Sequence, residues 1–112
     1  MNQAFMDSNG VIFADIESTR IWHIGRLKIE ELNEIEQARF SGFVLMALFI
    51  TEIAYFQARN DQLDKQDSER IERIASWFAE QPGFQSLWPG LKYNRTDDYQ
   101  IYFDSLISRN LT

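Results

Sequence analysis

Apolar positions are distributed unevenly along this chain, and their densest stretch organises the rest. Between Asn33 and Asn60 the sequence NEIEQARFSGFVLMALFITEIAYFQARN holds eight consecutive apolar residues, Phe43 to Ile50. Phe40, Phe43, Val44, Ala47, Ile50 and Ala54 follow one helical face, and Met46, Phe49, Ile53 and Phe56 follow another. A helix apolar on more than one side has to be covered on more than one side. The pattern therefore predicts a central helix over about residues 34–59, roughly seven turns long, with the remaining segments as its wrapping.

Its start is well marked. Asn33 can accept from the free amides of the first turn while Glu36 reaches back, a capping box, and Leu32 can serve as the hydrophobic staple. Ser41-Gly42 predicts a place where a neighbouring helix comes close, and Asn60 is the expected terminator. Ahead of this helix, Asp15 is a candidate N-cap for a shorter one ending near Ile24, with Gly25 as its stop. Arg26 to Leu32 then reads as a connector with Leu27, Ile29 and Leu32 turned inward. Residues 1–14 read as helix, turn, helix, with a hairpin at Asn9-Gly10 as the competing reading.

Beyond the central helix, Asp61 to Gln66 is a polar loop and Asp64 the next N-cap. Ile71, Ile74, Ala75 and Phe78 recur at helical spacing. Pro82-Gly83 ends that segment, and Pro82 is placed to open a short helix through Trp88. Pro89-Gly90 is expected to break the chain. Thr96 caps a last helix with Asp97 and Asp98 in its first turn, and Tyr99, Tyr102, Phe103 and Leu106 form its buried stripe. The expected fold is all-α: a small irregular bundle of five to six helices around one long central helix. Residues 1–112 form a single helical domain.

Composition narrows the function. The chain has 112 residues, 17 acidic and 11 basic, giving a net charge of −6. Nucleic-acid binding needs clustered cations, and none is seen, so no nucleic acid is expected. No cysteine is present, which removes disulfides, thiolate metal sites and a cysteine nucleophile. The five glycines, at 10, 25, 42, 83 and 90, form no phosphate-binding loop. No signal peptide and no membrane span are read, because the longest apolar run is well short of the ~18 residues needed. The cytoplasm is the default compartment.

Four polar residues are candidates for a pocket or a buried polar role. Glu52 has an apolar neighbourhood along its helix, so its carboxylate must be paired if buried; Arg59, Arg20, Arg26 or a tyrosine hydroxyl could do this. Arg39 and Gln57 lie on the same helix. His23 is the sole histidine, has no nucleophile-elbow sequence to work with, and lacks the Glu-x-x-His spacing of a di-iron bundle, since Arg20 stands three residues before it. The aromatic group Trp77, Phe78, Phe84, Trp88, Tyr93, Tyr99, Tyr102 and Phe103 reads as core filling without a basic groove for base stacking. No catalytic residue, metal site or cofactor is expected.

Taken in order, Leu32-Asn33-x-x-Glu36-x-x-Arg39-Phe40, Glu52-x-x-x-Phe56-Gln57, Leu63-Asp64, Pro82-Gly83-x-x-x-x-Trp88 and Thr96-x-x-Tyr99 resemble a family of small uncharacterised bacterial helical proteins. Many of its members carry membrane spans ahead of the helical part, and none is read in this sequence. The resemblance implies the helical fold, raises peripheral membrane association, and implies no activity. The expected role is a non-catalytic protein-interaction module, partnered by another protein or by itself as a homodimer. An inhibitor of a basic partner, such as an immunity protein or antitoxin, is one form of it. The alternative is a small-molecule-binding protein or enzyme with a pocket near Glu52, faced by Arg39.

Overall fold

The computed structural model describes residues 15–110, and the readings for residues 1–14 lie outside them. Five α-helices follow in order: α1 Ile16–Lys28, α2 Glu34–Arg59, α3 Lys65–Glu80, α4 Pro82–Leu91 and α5 Asp97–Asn110. Short 3-10 turns, Ile29–Glu31 and Lys92–Asn94, join α1 to α2 and α4 to α5. Among the described residues there is no strand, and the all-α bundle around one long helix is the observed architecture.

The helix starts obey local chemistry. The Asp15 carboxylate accepts from Ser18 N at 2.6 Å and Asp64 from Asp67 N at 2.8 Å. At α2, Asn33 Oδ1 accepts from Glu36 N and Glu36 Oε1 accepts from Asn33 N, both at 2.9 Å. These bonds occupy amides that a helix's first turn leaves without partners. Leu32, just before the cap, is buried. The same carboxylates gain from the donors around them. Asp15 is held below the ordinary carboxylate range by the Ser18 amide, and Glu36 by the Asn33 amide and then Arg20.

Two glycines behave differently from the expectation. Gly25 does not stop α1; it lies buried inside it, and the helix runs on to Lys28. A Cβ at Gly25 would overlap the Phe40 ring, and one at Gly83 would overlap the Gly25 carbonyl oxygen. The two glycines therefore form the crossing of α1 on α4, with the Phe40 ring of α2 seated in the same notch. Close approach of backbones is the reason for glycine here. With α1 extended, Leu27 comes out 42% exposed instead of inward. Pro89-Gly90 does not break the chain either, since α4 continues to Leu91. Pro89 sits in the last turn, where the helix forgoes the one backbone hydrogen bond a proline cannot donate.

Around that notch the core is aromatic. Phe78 and Phe84 stack at 4.9 Å between centroids, and Trp22 meets Phe84 edge-on at 5.7 Å. A second group continues toward the other end of α2, where Trp88 lies 4.6 Å from Phe103 and Tyr55 stacks on Tyr102 at 4.5 Å. Such pairs add about 0.5–1.5 kcal/mol each beyond burial. Arg26 ties α1 to the α3–α4 junction, donating to Gln81 Oε1 at 3.0 Å while lying over the Trp77 ring.

The central helix is not enclosed on every side. Phe40, Val44, Ala47, Thr51 and Ala54 are buried, whereas Ile35 is 76%, Phe49 53% and Ile53 41% exposed. Gly42, expected beneath a neighbouring helix, has open space where a Cβ would stand.

Candidate functional site

Among the described residues Glu52 is the one buried carboxylate, and it lies beneath the start of α5. Its apolar flanks on α2 leave it with 9% exposure, and the loop after the second 3-10 turn brings its partners. Arg95 Nη1 donates to Oε1 at 3.2 Å; the Thr96 amide and hydroxyl donate to Oε2 at 2.9 and 3.2 Å. Thr96 in turn accepts from Tyr99 N at 3.3 Å as the cap of α5. Immediately before Glu52 in the chain, the Thr51 hydroxyl lies 2.6 Å from the Tyr99 hydroxyl. Thr51 can donate its single proton to the Ala47 or Leu48 carbonyl, so Tyr99 donates to Thr51. Burial pushes the Tyr99 hydroxyl's pKa well up.

This arrangement holds α5 onto α2. Both Glu52 oxygens are engaged in fixing the start of α5, which is a structural use of a carboxylate. The partner, Arg95, was not among the cations considered from the sequence. The available signal was its place immediately before the Thr96 cap, since whatever binds that cap also meets its neighbour.

The other three sequence candidates do not join Glu52. Arg39 is exposed and donates to Ser18 Oγ at 3.1 Å. It stands 13 residues before Glu52 on one helix, about 20 Å along the axis. His23 is exposed on α1, its Nδ1 3.2 Å from Arg26 Nη2. Gln57 is half-buried near the end of α2, where its carbonyl accepts from Gln62 N at 2.8 Å.

An open groove of about 270 Å³ lies between the end of α2, α3 and α5. Tyr55, Arg59, Ser68, Ile71, Glu72 and Tyr102 line it. Arg59 is bound to Asp98 Oδ2 at 2.8 Å. Tyr102 has its hydroxyl pushed up to about 12, by burial first and the Glu72 charge second. Among the described residues no three histidine, aspartate or glutamate side chains are grouped to hold a metal.

On the outer face of α2, Ile35, Phe49 and Ile53 are exposed. At 100° per residue, Ile35, Ala38, Gly42, Leu45, Met46, Phe49, Ile53 and Phe56 form a stripe about 180° from the buried face. No charged residue interrupts it across 22 positions. Phe49 has a second role, because Arg95 lies 5.8 Å over its ring. The exposed ring thus roofs the Glu52–Arg95 pair.

No protein-family model, no curated protein and no solved structure matches the chain. The functional reading therefore rests on the molecule's own chemistry. By length and composition α2 would also suit a membrane crossing; its inner face is packed against the other helices and contains the buried Glu52–Arg95 pair.

Proposed function

We propose that this protein is a non-catalytic interaction module whose docking surface is the outer face of α2. One observation carries the reading: Ile35 and Phe49, more than half exposed, and Ile53 lie on the apolar face of α2 opposite a well-packed core. Exposed apolar surface that is contiguous, rather than scattered, marks a contact site. The polar cluster supports the same reading from the other side, since Glu52 and Arg95 are spent on holding α5. A cytoplasmic setting is part of this proposal, and a protein partner is its central element.

The test compares the wild-type chain with Ile53→Lys, which alters the stripe at a position outside the core. Immobilised wild-type chain is expected to retain a specific protein from native extract, either a second copy or another chain, and Ile53→Lys to lose it. Equal retention by both chains, with far-ultraviolet circular dichroism showing both folded, refutes the assignment of this face.

A further inference from the structure

The groove between the end of α2, α3 and α5 brings together polar groups that the fold does not use. Its lining consists of described residues alone. Ile71 and Ala58 make part of it apolar, and Tyr55 and Tyr102, stacked at 4.5 Å, make another part aromatic. Ser68 and Glu72 stand one turn apart on α3 and so share a face. Among the described residues, the Glu72 carboxylate and the Ser68 and Tyr102 hydroxyls have no hydrogen-bond or ion-pair partner.

Charge decides the class of ligand. Arg59, the cation in the lining, is held by Asp98 Oδ2 at 2.8 Å and rests against the Tyr55 ring. That pair balances its own charge, which leaves Glu72 as the unbalanced group. Its field reaches into the groove. After burial, the Glu72 charge does most to keep the Tyr102 hydroxyl in its neutral form, and Arg109, outside the lining, acts on it less strongly. A carboxylate beside apolar and aromatic walls suits an organic cation, because the ion finds a counter-charge and its body finds surface to cover.

We propose that this groove binds a small primary ammonium ion with an apolar or aromatic body, the ammonium donating to Glu72 and the body lying along Ile71 and Tyr102. An ammonium carries three N–H donors and no acceptor. The Glu72 carboxylate and the hydroxyl oxygens of Ser68 and Tyr102 are the acceptors that the groove offers. An anion would meet Glu72 at close range, and a neutral ligand would leave that charge unmatched. This site is independent of the docking reading of α2, and the failure of either leaves the other standing.

Volume sets the size. At about 30 Å³ for each water-sized atom, a groove of about 270 Å³ holds about nine non-hydrogen atoms. The amine 2-phenylethylamine is of that size and carries both an ammonium and a ring. Part of so open a site stays wet, so a dissociation constant on the order of 1 mM is expected for this probe.

The test is a titration of the nitrogen-15-labelled full chain with 2-phenylethylamine, followed by amide NMR shifts. Saturable shifts centred on Ser68, Glu72 and Tyr102 are expected. The neutral 2-phenylethanol and the anion 3-phenylpropionate should bind at least about tenfold more weakly. Glu72→Gln should weaken the amine about tenfold and leave the alcohol unchanged. Glu72 is exposed, so thermal stability should not move. Ser68→Phe, which fills the groove, should remove the binding of both.

Absence of saturable shifts at these residues, at amine concentrations well above the expected constant, overturns the inference. Equal binding of amine and alcohol would leave an apolar crevice without an ammonium site. Stronger binding of 3-phenylpropionate would give the groove to Arg59. Either result overturns it, as do shifts centred elsewhere and amine binding unaltered in a folded Glu72→Gln chain.

Discussion

The two halves of α2 are held by different physics. Around Phe40 the contact is one of shape: Gly25 and Gly83 let two backbones close on each other, and an aromatic ring occupies what remains. Around Thr51 and Glu52 it is one of hydrogen bonding, with a tyrosine hydroxyl, an arginine and a backbone amide meeting in a nearly dry interior. The shape-based half tolerates no added atom, because densely packed interiors resist extra volume. The polar half tolerates volume better than it tolerates a missing partner, since an unpaired buried charge keeps its full desolvation cost.

The comparison is broken most severely at Gly83. Gly83→Ala directs a methyl group at the Gly25 carbonyl, where both sides are backbone and neither can turn away; a loss of about 3 kcal/mol or more is expected. The control is the same change at Gly42, where nothing stands near and alanine should add up to about 1 kcal/mol. Urea denaturation of the two variants should therefore move in opposite directions. If both lose stability equally, the close approach at Gly83 is not the cause.

In the polar half, Glu52→Gln leaves Arg95 without its anion and should cost about 3 kcal/mol. Replacing both residues by methionine should recover much of that loss, which separates the penalty of a lone charge from the worth of the pair. A double variant no more stable than the single one would show that this pair's geometry matters more than its burial. Tyr99→Phe removes one hydroxyl, leaves Thr51 its carbonyl partner, and should cost about 1 kcal/mol.

The smallest effect is one of pH. Tyr102 titrates from 10.0 when exposed up to about 12 in the fold, so folding favours the neutral phenol. Its contribution is fully present below pH 10 and is lost as pH rises through about 12. Asp15 and Glu36 act in the opposite direction: their folded values are depressed, so their contribution is present above the ordinary carboxylate range and declines as pH falls through it. Both are surface groups, so the acid effect should shrink with added salt. Denaturant midpoints against pH should therefore fall at both extremes, and Tyr102→Phe should flatten the alkaline side alone.

Much of this architecture is legible in the residues because it depends on neighbours in sequence. Caps at Asp15, Asn33 and Asp64 need a side-chain oxygen within three positions of an amide, and the stripes Ile71–Phe78 and Tyr99–Leu106 need only helical periodicity. Gly25 and Pro89 misled for a common reason. Each is a local stop signal in an isolated helix, and each was kept inside a helix by what lies across from it or by its nearness to the end. Glu52 was recognisable as a carboxylate in need of a partner, yet Arg95 is 43 positions away. No local pattern links the two.

The sequence by itself determined where the helices begin, which of their faces are apolar, and that α2 carries more apolar surface than one face can bury, because these properties arise from contacts within a turn or two of the chain. Only the tertiary structure decided which of two apolar faces of α2 went inward, which glycine served as a crossing point and which stayed open, and which cation met Glu52. Those outcomes depend on volumes and charges from distant segments competing for the same space, and that competition is resolved only when the helices pack.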